Sequence, residues 1–249
     1  TLLGELLAAT CLLTATLKFE GEISVQLQGD GPLGYMVING DNKQVMRGIA
    51  KVKPEHDVTG LSGLQNLIGK GTMVITIRPA KGEAYQGVVA LEEDDLAGCL
   101  AHYFEVSEQI PTKIWLFTDQ ESKQVAGSLV QLLPDGEDKE KQQTDYEHLC
   151  QLTNTIKAEE IFSLEAQALL YRLYHQESVK IFEPQSVTYL CGCSENKCLG
   201  AIAQMEPKEL KNIITEQGAV SMTCDYCLTT YAFDELKLKP FLDDVSHYK

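Results

Sequence analysis

Residues 191–198 read CGCSENKC, and residues 224–227 read CDYC. Four of these sulfurs, on Cys191, Cys193, Cys224 and Cys227, form two tight pairs with thirty residues between Cys193 and Cys224. No other feature restricts the fold so strongly. The surrounding stretch, from position 186 to 238, carries few large apolar side chains. A segment of about 50 residues with so small a core is marginal and commonly needs a metal or disulfides. A thiolate pair two or three positions apart can reach one ion without distorting the backbone. Two such pairs complete the tetrahedral shell that zinc prefers. The spacing therefore points to one Zn2+ per chain, held by Cys191, Cys193, Cys224 and Cys227. Cys198 is the odd member, since a fifth thiolate has no place in a closed shell. It reads as a small packing residue of an ENKCLGAIAQM helix, and Cys11, Cys99 and Cys150 read as buried small hydrophobes. His148 and His175 lie on helical stretches ahead of the cluster and read as surface or packing residues.

The first pair is Cys-x-Cys, where a structural zinc ribbon would use Cys-x-x-Cys. A bridge between Cys191 and Cys193 would close a small, awkward ring, strained and readily reduced. Zinc would keep all four sulfurs as thiolates, the form that reacts with oxidants. Oxidation to two local disulfides would eject the ion, and a module whose folding is coupled to its metal would then unfold. The spacing permits such a switch without requiring it.

The remainder of the chain reads as α+β. From 20 to 133, stretches such as EISVQLQ, GYMVI, KQVMRGIAKV, TMVITIRP, YQGVVAL, TKIWLFTD and AGSLVQLLP read as strands, mainly antiparallel. NGDN (39–42) reads as a hairpin turn. A helix over roughly 94–108 interrupts them, with Asp94 or Asp95 as N-cap. Leu3, Leu6, Leu7, Leu13 and Leu17 suggest an amphipathic helix at the start. PDGEDKEKQQTD (134–145) marks a boundary. DYEHLCQLTNTI and SLEAQALLYRLYH then read as two helices. Ser163 is expected to cap the second, with Ala166, Leu169, Leu170 and Leu173 as its apolar face. Near the end, PKELKNIITEQG reads as a helix with Pro207 in its first turn and Gly218 past its end. AVSMT and TTYAF read as short strands flanking Cys224 and Cys227. The expected organisation is a first α/β domain over 1–134, a helical linker over 135–185, a zinc-binding domain over 186–238 and a tail over 239–249.

A net charge of −15 over 249 residues leaves no basic stripe for phosphate, which argues against a nucleic-acid partner. No run of about 18 uncharged apolar residues is present, so no transmembrane helix and no membrane partner are expected. The apolar opening contains Glu5 and has no basic segment before it, unlike a signal peptide. With close cysteine pairs and no export signal, a cytoplasmic location is expected. GLQNLIGKGT falls short of a P-loop, because Leu64 stands where Gly is needed and Gly71 follows Lys70. QGDGPLG lacks a dinucleotide fingerprint. No catalytic triad or carboxylate pair stands out, and the chain does not read as an enzyme.

CGC and CDYC at this separation resemble the zinc centre of the heat-shock protein 33 family, the redox-regulated bacterial chaperones. The resemblance extends over almost the whole chain. GELLAATCLLTATLKFEGEISVQLQGDGPLG is similar to the start of that family's first domain, and YQGVVAL, SEQIPTKIWL and LLYRLYH match further blocks. Members of the family begin well before the position of Thr1, so an N-terminal piece is expected to be missing here. The resemblance implies an ATP-independent holdase whose reduced, zinc-bound form is inactive. Oxidation would pair Cys191 with Cys193 and Cys224 with Cys227, release zinc, and unfold the module and linker. The exposed surface would then bind unfolding or oxidatively damaged clients, with the oxidised protein a homodimer. Two other readings compete on the residues alone: a constitutive interaction module with structural zinc, and a dithiol–disulfide oxidoreductase using Cys224 and Cys227.

Overall fold

The computed structural model describes residues 1–16, 20–133 and 138–242. Two compact units divide the chain, one running through Tyr189 and the other from Leu190 onward.

The first unit is built on antiparallel pairing. Its elements in order are α1 (Leu2–Thr16), β1 (Gly21–Gly29), β2 (Leu33–Asp41), β3 (Val45–Val52), α2 (Leu64–Ile68), β4 (Gly71–Pro79), β5 (Tyr85–Ala90), α3 (Leu96–Tyr103), β6 (Thr112–Asp119) and β7 (Gln124–Gln131). The segment that follows carries α4 (Lys139–Thr153), α5 (Ala158–Ser163), α6 (Ala166–Tyr174) and β8 (Thr188–Tyr189). One sheet has the order β5-β4-β1-β2-β3-β8, and β6 and β7 form a separate ribbon. Every pairing in the larger sheet is antiparallel except the short β3–β8 contact. Strand alternation explains the core. Val25 lies opposite Ile38 and Ile75, and Leu27 opposite Met36 and Met73, with all six side chains buried. The residues between them, Ser24, Gln26 and Gln28, turn to the other face.

Helix α1 packs against β7 and β2. It is more deeply enclosed than an amphipathic surface helix: Leu2, Leu6, Ala8, Ala9, Thr10, Leu13 and Thr14 are all buried. The Thr10 and Thr14 hydroxyls donate back to the Leu6 and Thr10 carbonyls, which lets two polar residues sit in an apolar wall. Gly40 permits the close approach, because a Cβ there would collide with Met46 and press on Thr14 of α1. Leu17, assigned by periodicity to this helix, falls outside the described residues.

Several sequence expectations shift in register. The N-cap of α3 is Asp95, whose Oδ1 accepts from Gly98 N at 2.7 Å. The α-helix ends at Tyr103, and Phe104–Glu108 continues as a π-turn. The β2–β3 turn overlaps NGDN but is shifted two residues along, over 41–44: Asp41 Oδ1 accepts from Lys43 N and Val45 N, and Gln44 takes a φ of 60°. The charged run expected as a boundary is half helical, because Asp138 caps α4 by accepting from Lys141 N; residues 134–137 fall outside the described residues. Ser163 ends α5 rather than starting α6, and its hydroxyl donates back to the Glu159 carbonyl. Of the face assigned to α6, Leu173 is buried, Leu169 and Leu170 are half-buried and Ala166 is exposed.

The second unit contains α7 (Glu195–Ile202), α8 (Pro207–Gln217), β9 (Ala219–Thr223), β10 (Thr230–Asp234) and α9 (Glu235–Leu242). Pro207 opens α8 and Gly218 closes it at a φ of 78°, the left-handed conformation that glycine adopts without penalty. Helix α9 was not anticipated from the sequence, yet it supplies Leu238 and Leu242 to the core. Ile202, Leu210, Val220 and Phe233 complete that core. Six buried side chains are a small inventory. Phe233→Ala should cost about 3–5 kcal/mol, similar to the about 3–5 kcal/mol that a core of this size supplies. Hydrogen exchange of the metal-loaded variant should be faster than that of the metal-loaded wild type from Leu190 onward, with the β1–β4 amides unchanged. A fully protected second unit would contradict this account of its core.

Candidate metal centre

Two short backbone segments meet at one end of the second unit. Cys191 and Cys193 lie in extended chain just ahead of α7. Ser194 caps that helix by accepting from Lys197 N at 3.3 Å. The Lys197 ammonium reaches back to donate to the Gly192 carbonyl at 2.5 Å, tying down the peptide between the two cysteines. The Lys237 ammonium pairs with Glu195 Oε1 at 2.7 Å, joining the start of α7 to α9. Cys224 and Cys227 lie in the tight turn between β9 and β10. Cys224 N donates to Thr229 O and Leu228 N donates to Cys224 O, each at 2.9 Å. Below the turn, Thr223 and Thr230 face each other across the ribbon with their hydroxyls 2.9 Å apart.

The sulfurs of Cys191, Cys193, Cys224 and Cys227 all lie within 4.8 Å of one another. Two separations cross between the segments: 3.5 Å for Cys191–Cys224 and 3.4 Å for Cys193–Cys227. A tetrahedral ion with zinc–sulfur bonds of about 2.3 Å would set its sulfurs about 3.8 Å apart, so the spacing suits such a shell. All four are half-buried, open enough for an ion or oxidant to reach. The structure thus brings together the four cysteines singled out by their spacing, and as a group they could hold a metal ion. Cys198 stands apart on α7, packed against the second core. Cys99 and Cys150 are buried, and burial pushes the half-buried Cys11 thiol up to about 11. His148 pairs with Glu177 at 3.0 Å, and the His175 ring tilts against Tyr171.

Charge is unevenly distributed over the cluster. The Thr229 hydroxyl and amide, with the neighbouring Cys193, hold Cys227 down to about 6. The Cys227 amide also holds Cys224 low. The Cys193 amide acts in the same direction on Cys191, but burial and the adjoining thiols of Cys193, Cys224 and Cys227 outweigh it and push Cys191 up to about 12. Closely packed thiols cannot all ionise without a cation among them. Sequence reasoning missed Thr229, Lys197 and Tyr231, whose hydroxyl lies 3.2 Å from Cys193 Sγ. The only signal was the alternation in TTYAF, which puts Tyr231 and Phe233 on one face of β10.

The family model described as Hsp33 protein matches residues 1–234. The 33 kDa chaperonin of Colwellia psychrerythraea is 72% identical, the match covering 99% of this chain and 85% of that protein. That of Shewanella sediminis is 55% identical, with coverage of 96% and 81%. Among solved structures, the 33 kDa chaperonin of Thermotoga maritima superposes with a TM-score of 0.80 at 26% identity, covering 97% of this chain and 84% of that one.

The thiol cluster makes cation binding pH-dependent in a definite direction. At pH 7 Cys227 is mostly thiolate while Cys191 keeps its proton, so an entering cation must displace at least that proton. Below about pH 6 it must displace the Cys227 proton too. Apparent affinity for a thiophilic cation should therefore fall about tenfold per pH unit below neutrality and more steeply below pH 6. Competition against a metal-sensitive dye between pH 5 and 8 measures this, and a flat profile would contradict it. A second expectation concerns Leu228, which is 75% exposed at a φ of 58°. A left-handed residue with a Cβ costs about 1–2 kcal/mol, while glycine loses about 0.5–1 kcal/mol more entropy on folding. Leu228→Gly should stabilise the metal-loaded unit by about 0.5 kcal/mol, read as a raised denaturant midpoint; a lowered midpoint counts against strain at this turn.

Proposed function

The chain belongs to the heat-shock protein 33 family of chaperones, and from that premise we propose that it is a redox-regulated, ATP-independent holdase. The observation that carries this reading is the gathering of four half-buried cysteine sulfurs within 4.8 Å in a unit with a six-residue core. In the reduced state Cys191, Cys193, Cys224 and Cys227 would hold one Zn2+. The ion would supply the positive charge that keeps four thiolates together and a cross-link between the two segments.

Activation proceeds through the chain's own sulfurs. With hydrogen peroxide as oxidant, one sulfur of a pair attacks a peroxide oxygen, the O–O bond breaks, and a sulfenic acid and hydroxide result. The second sulfur attacks the first and displaces the remaining oxygen as water. Each bridge removes two electrons from its two sulfurs and reduces one peroxide to two waters. The pairing of Cys191 with Cys193 and Cys224 with Cys227 is carried by the family resemblance. It requires the sulfurs to give up their contacts across the segments, 3.5 Å for Cys191–Cys224 and 3.4 Å for Cys193–Cys227. Four sulfurs in bridges leave no thiolate for an ion, and the small core cannot keep its unit folded alone.

The region over 135–185 fits the part of a linker that loses order with it. Cys150, Thr153, Ile156 and Leu173 are its buried anchors. Polar ties add to them: Thr153 to Tyr174 at 2.6 Å, Arg172 to Glu160 at 2.6 Å, and Trp115 to Asn154 at 2.9 Å. Leu164, Tyr171, Ile181 and Phe182 are already exposed. Freed apolar faces near Leu149–Ile156 and Leu164–Leu173 would bind unfolding clients by burial of area, a non-directional force that tolerates many sequences. A homodimeric oxidised form rests on the family resemblance, and a reducing cytoplasm suits a cluster that must stay reduced at rest.

Three measurements test the reading. Purified reduced protein should carry one zinc per chain, which Cys191→Ser and Cys224→Ser should largely lose and Cys198→Ser should keep. Peptide mapping after peroxide should return the two within-segment bridges; bridges between the segments would refute the pairing. Light scattering of thermally unfolding citrate synthase should be suppressed without ATP by oxidised but not by reduced protein. Equal protection by both would favour a constitutive module with structural zinc, and protection by neither would remove the holdase.

A further inference from the structure

Tyr231 stands in β10 opposite Met222 of β9, and its ring packs against the second core. Its position is thus set by the ribbon and by apolar contacts, independently of the cysteines. From there the hydroxyl reaches Cys193 Sγ at 3.2 Å, across the two segments that build the site. A metal-bound sulfur has no proton to give, so the tyrosine O–H is the donor. A second contact between a hydroxyl and a sulfur of the cluster is local: Thr229 Oγ1 lies 3.3 Å from Sγ of Cys227, two residues before it.

We propose that Tyr231 is a positioning residue of the metal centre, which fixes the Cys193 sulfur by a hydrogen bond from its hydroxyl and restrains the reaction of that sulfur with electrophiles. The inference rests on the metal-centre reading above. Before an ion is bound, a cysteine sulfur can rotate about its Cα–Cβ bond unless something outside the shell holds it. Outer-shell donors hold ligands in this way, and their loss commonly costs about 10–100-fold in metal affinity. The same bond withdraws electron density from sulfur and occupies one of its lone pairs, which lowers its nucleophilicity. Because the ring belongs to β10 and the sulfur to the loop before α7, the bond also joins the halves that oxidation must separate.

The test is Tyr231→Phe, which keeps the ring and removes only the hydroxyl. Zinc-loaded wild type and variant are first compared for zinc content and for hydrogen exchange of the second unit. Zinc transfer to a chelating dye should then be about tenfold easier in the variant. Alkylation by iodoacetamide, in which sulfur displaces iodide, is followed cysteine by cysteine by mass spectrometry. Cys193 should react several-fold faster in the variant while Cys224 keeps its wild-type rate. Replacing Tyr231 by p-aminophenylalanine, which restores an N–H donor, should return Cys193 towards the wild-type rate. Unchanged zinc transfer and unchanged Cys193 reactivity would overturn the proposal. So would equal acceleration of all four cysteines, the mark of general loosening. Wild type that takes up no zinc at all would instead refute the metal-centre reading beneath it.

Discussion

Mutual repulsion among four sulfurs is the constraint on which the second unit depends. Thiolates within 4.8 Å of one another cannot all carry charge unless a cation neutralises them. The chain answers part of this locally. Hydrogen bonds around Thr229 and the turn amides favour charge on Cys227 and Cys224, while Cys191 is driven towards its protonated form. The cluster alone is thus a partly charged intermediate between two stable arrangements: four thiolates around an ion, or sulfurs joined covalently. Both settle the charge, and they make opposite demands on the backbone. The first would clamp two distant segments together, and the second, with the proposed pairing, would tie each segment to itself.

Polar contacts around the cluster add to the core beneath it. Lys197 fastens the Gly192 peptide, Lys237 fastens Glu195, and Tyr231 reaches Cys193. Each is a half-buried or exposed polar contact of modest strength. The six buried side chains beneath contribute at most a few kcal/mol net. In the first unit, by contrast, β1 is paired on both sides and Val25 and Leu27 are enclosed by facing residues of β2 and β4. Stability is therefore distributed unequally, with reactive sulfur placed where stability is smallest.

Much of this was legible in the sequence because it follows from local rules. Alternation in EISVQLQ and TMVITIRP located β1 and β4, Asp95 announced α3, and Pro207 and Gly218 bracketed α8. The cysteine spacing identified the four sulfurs that the fold assembles. What escaped depends on contacts between distant residues or on competition among near-equal local signals. Asp41 has an acceptor in the right place to close the β2–β3 turn, so the turn settles over 41–44, two residues along from the 39–42 of NGDN. Asp138 offers a cap, so the part of the charged run from Lys139 onward is helix. Ser163 directs its hydroxyl to the preceding turn instead of capping the next helix. The hydroxyl of Tyr231 was invisible because a strand pattern tells which face a ring occupies but not which sulfur, from a segment 38 residues away, will meet it.

The magnitudes explain how a change at four sulfurs can alter a much larger region. A structural zinc site of this type contributes about 10–16 kcal/mol of apparent binding free energy at neutral pH. The core of the second unit contributes about a third of that on the scale of small domains. Exchange of metal ligands for disulfides would therefore remove most of the stabilisation, and no rearrangement of Ile202, Leu210, Val220 and Phe233 could replace it. The helices α4–α6 present the next weakest set of contacts, with four buried anchors and several exposed apolar side chains. On the reading proposed above, a graded series would result: a metal-dependent unit, a sparsely anchored helical segment and a well-enclosed sheet. In such a series oxidation would release order from the weak end while the sheet would persist.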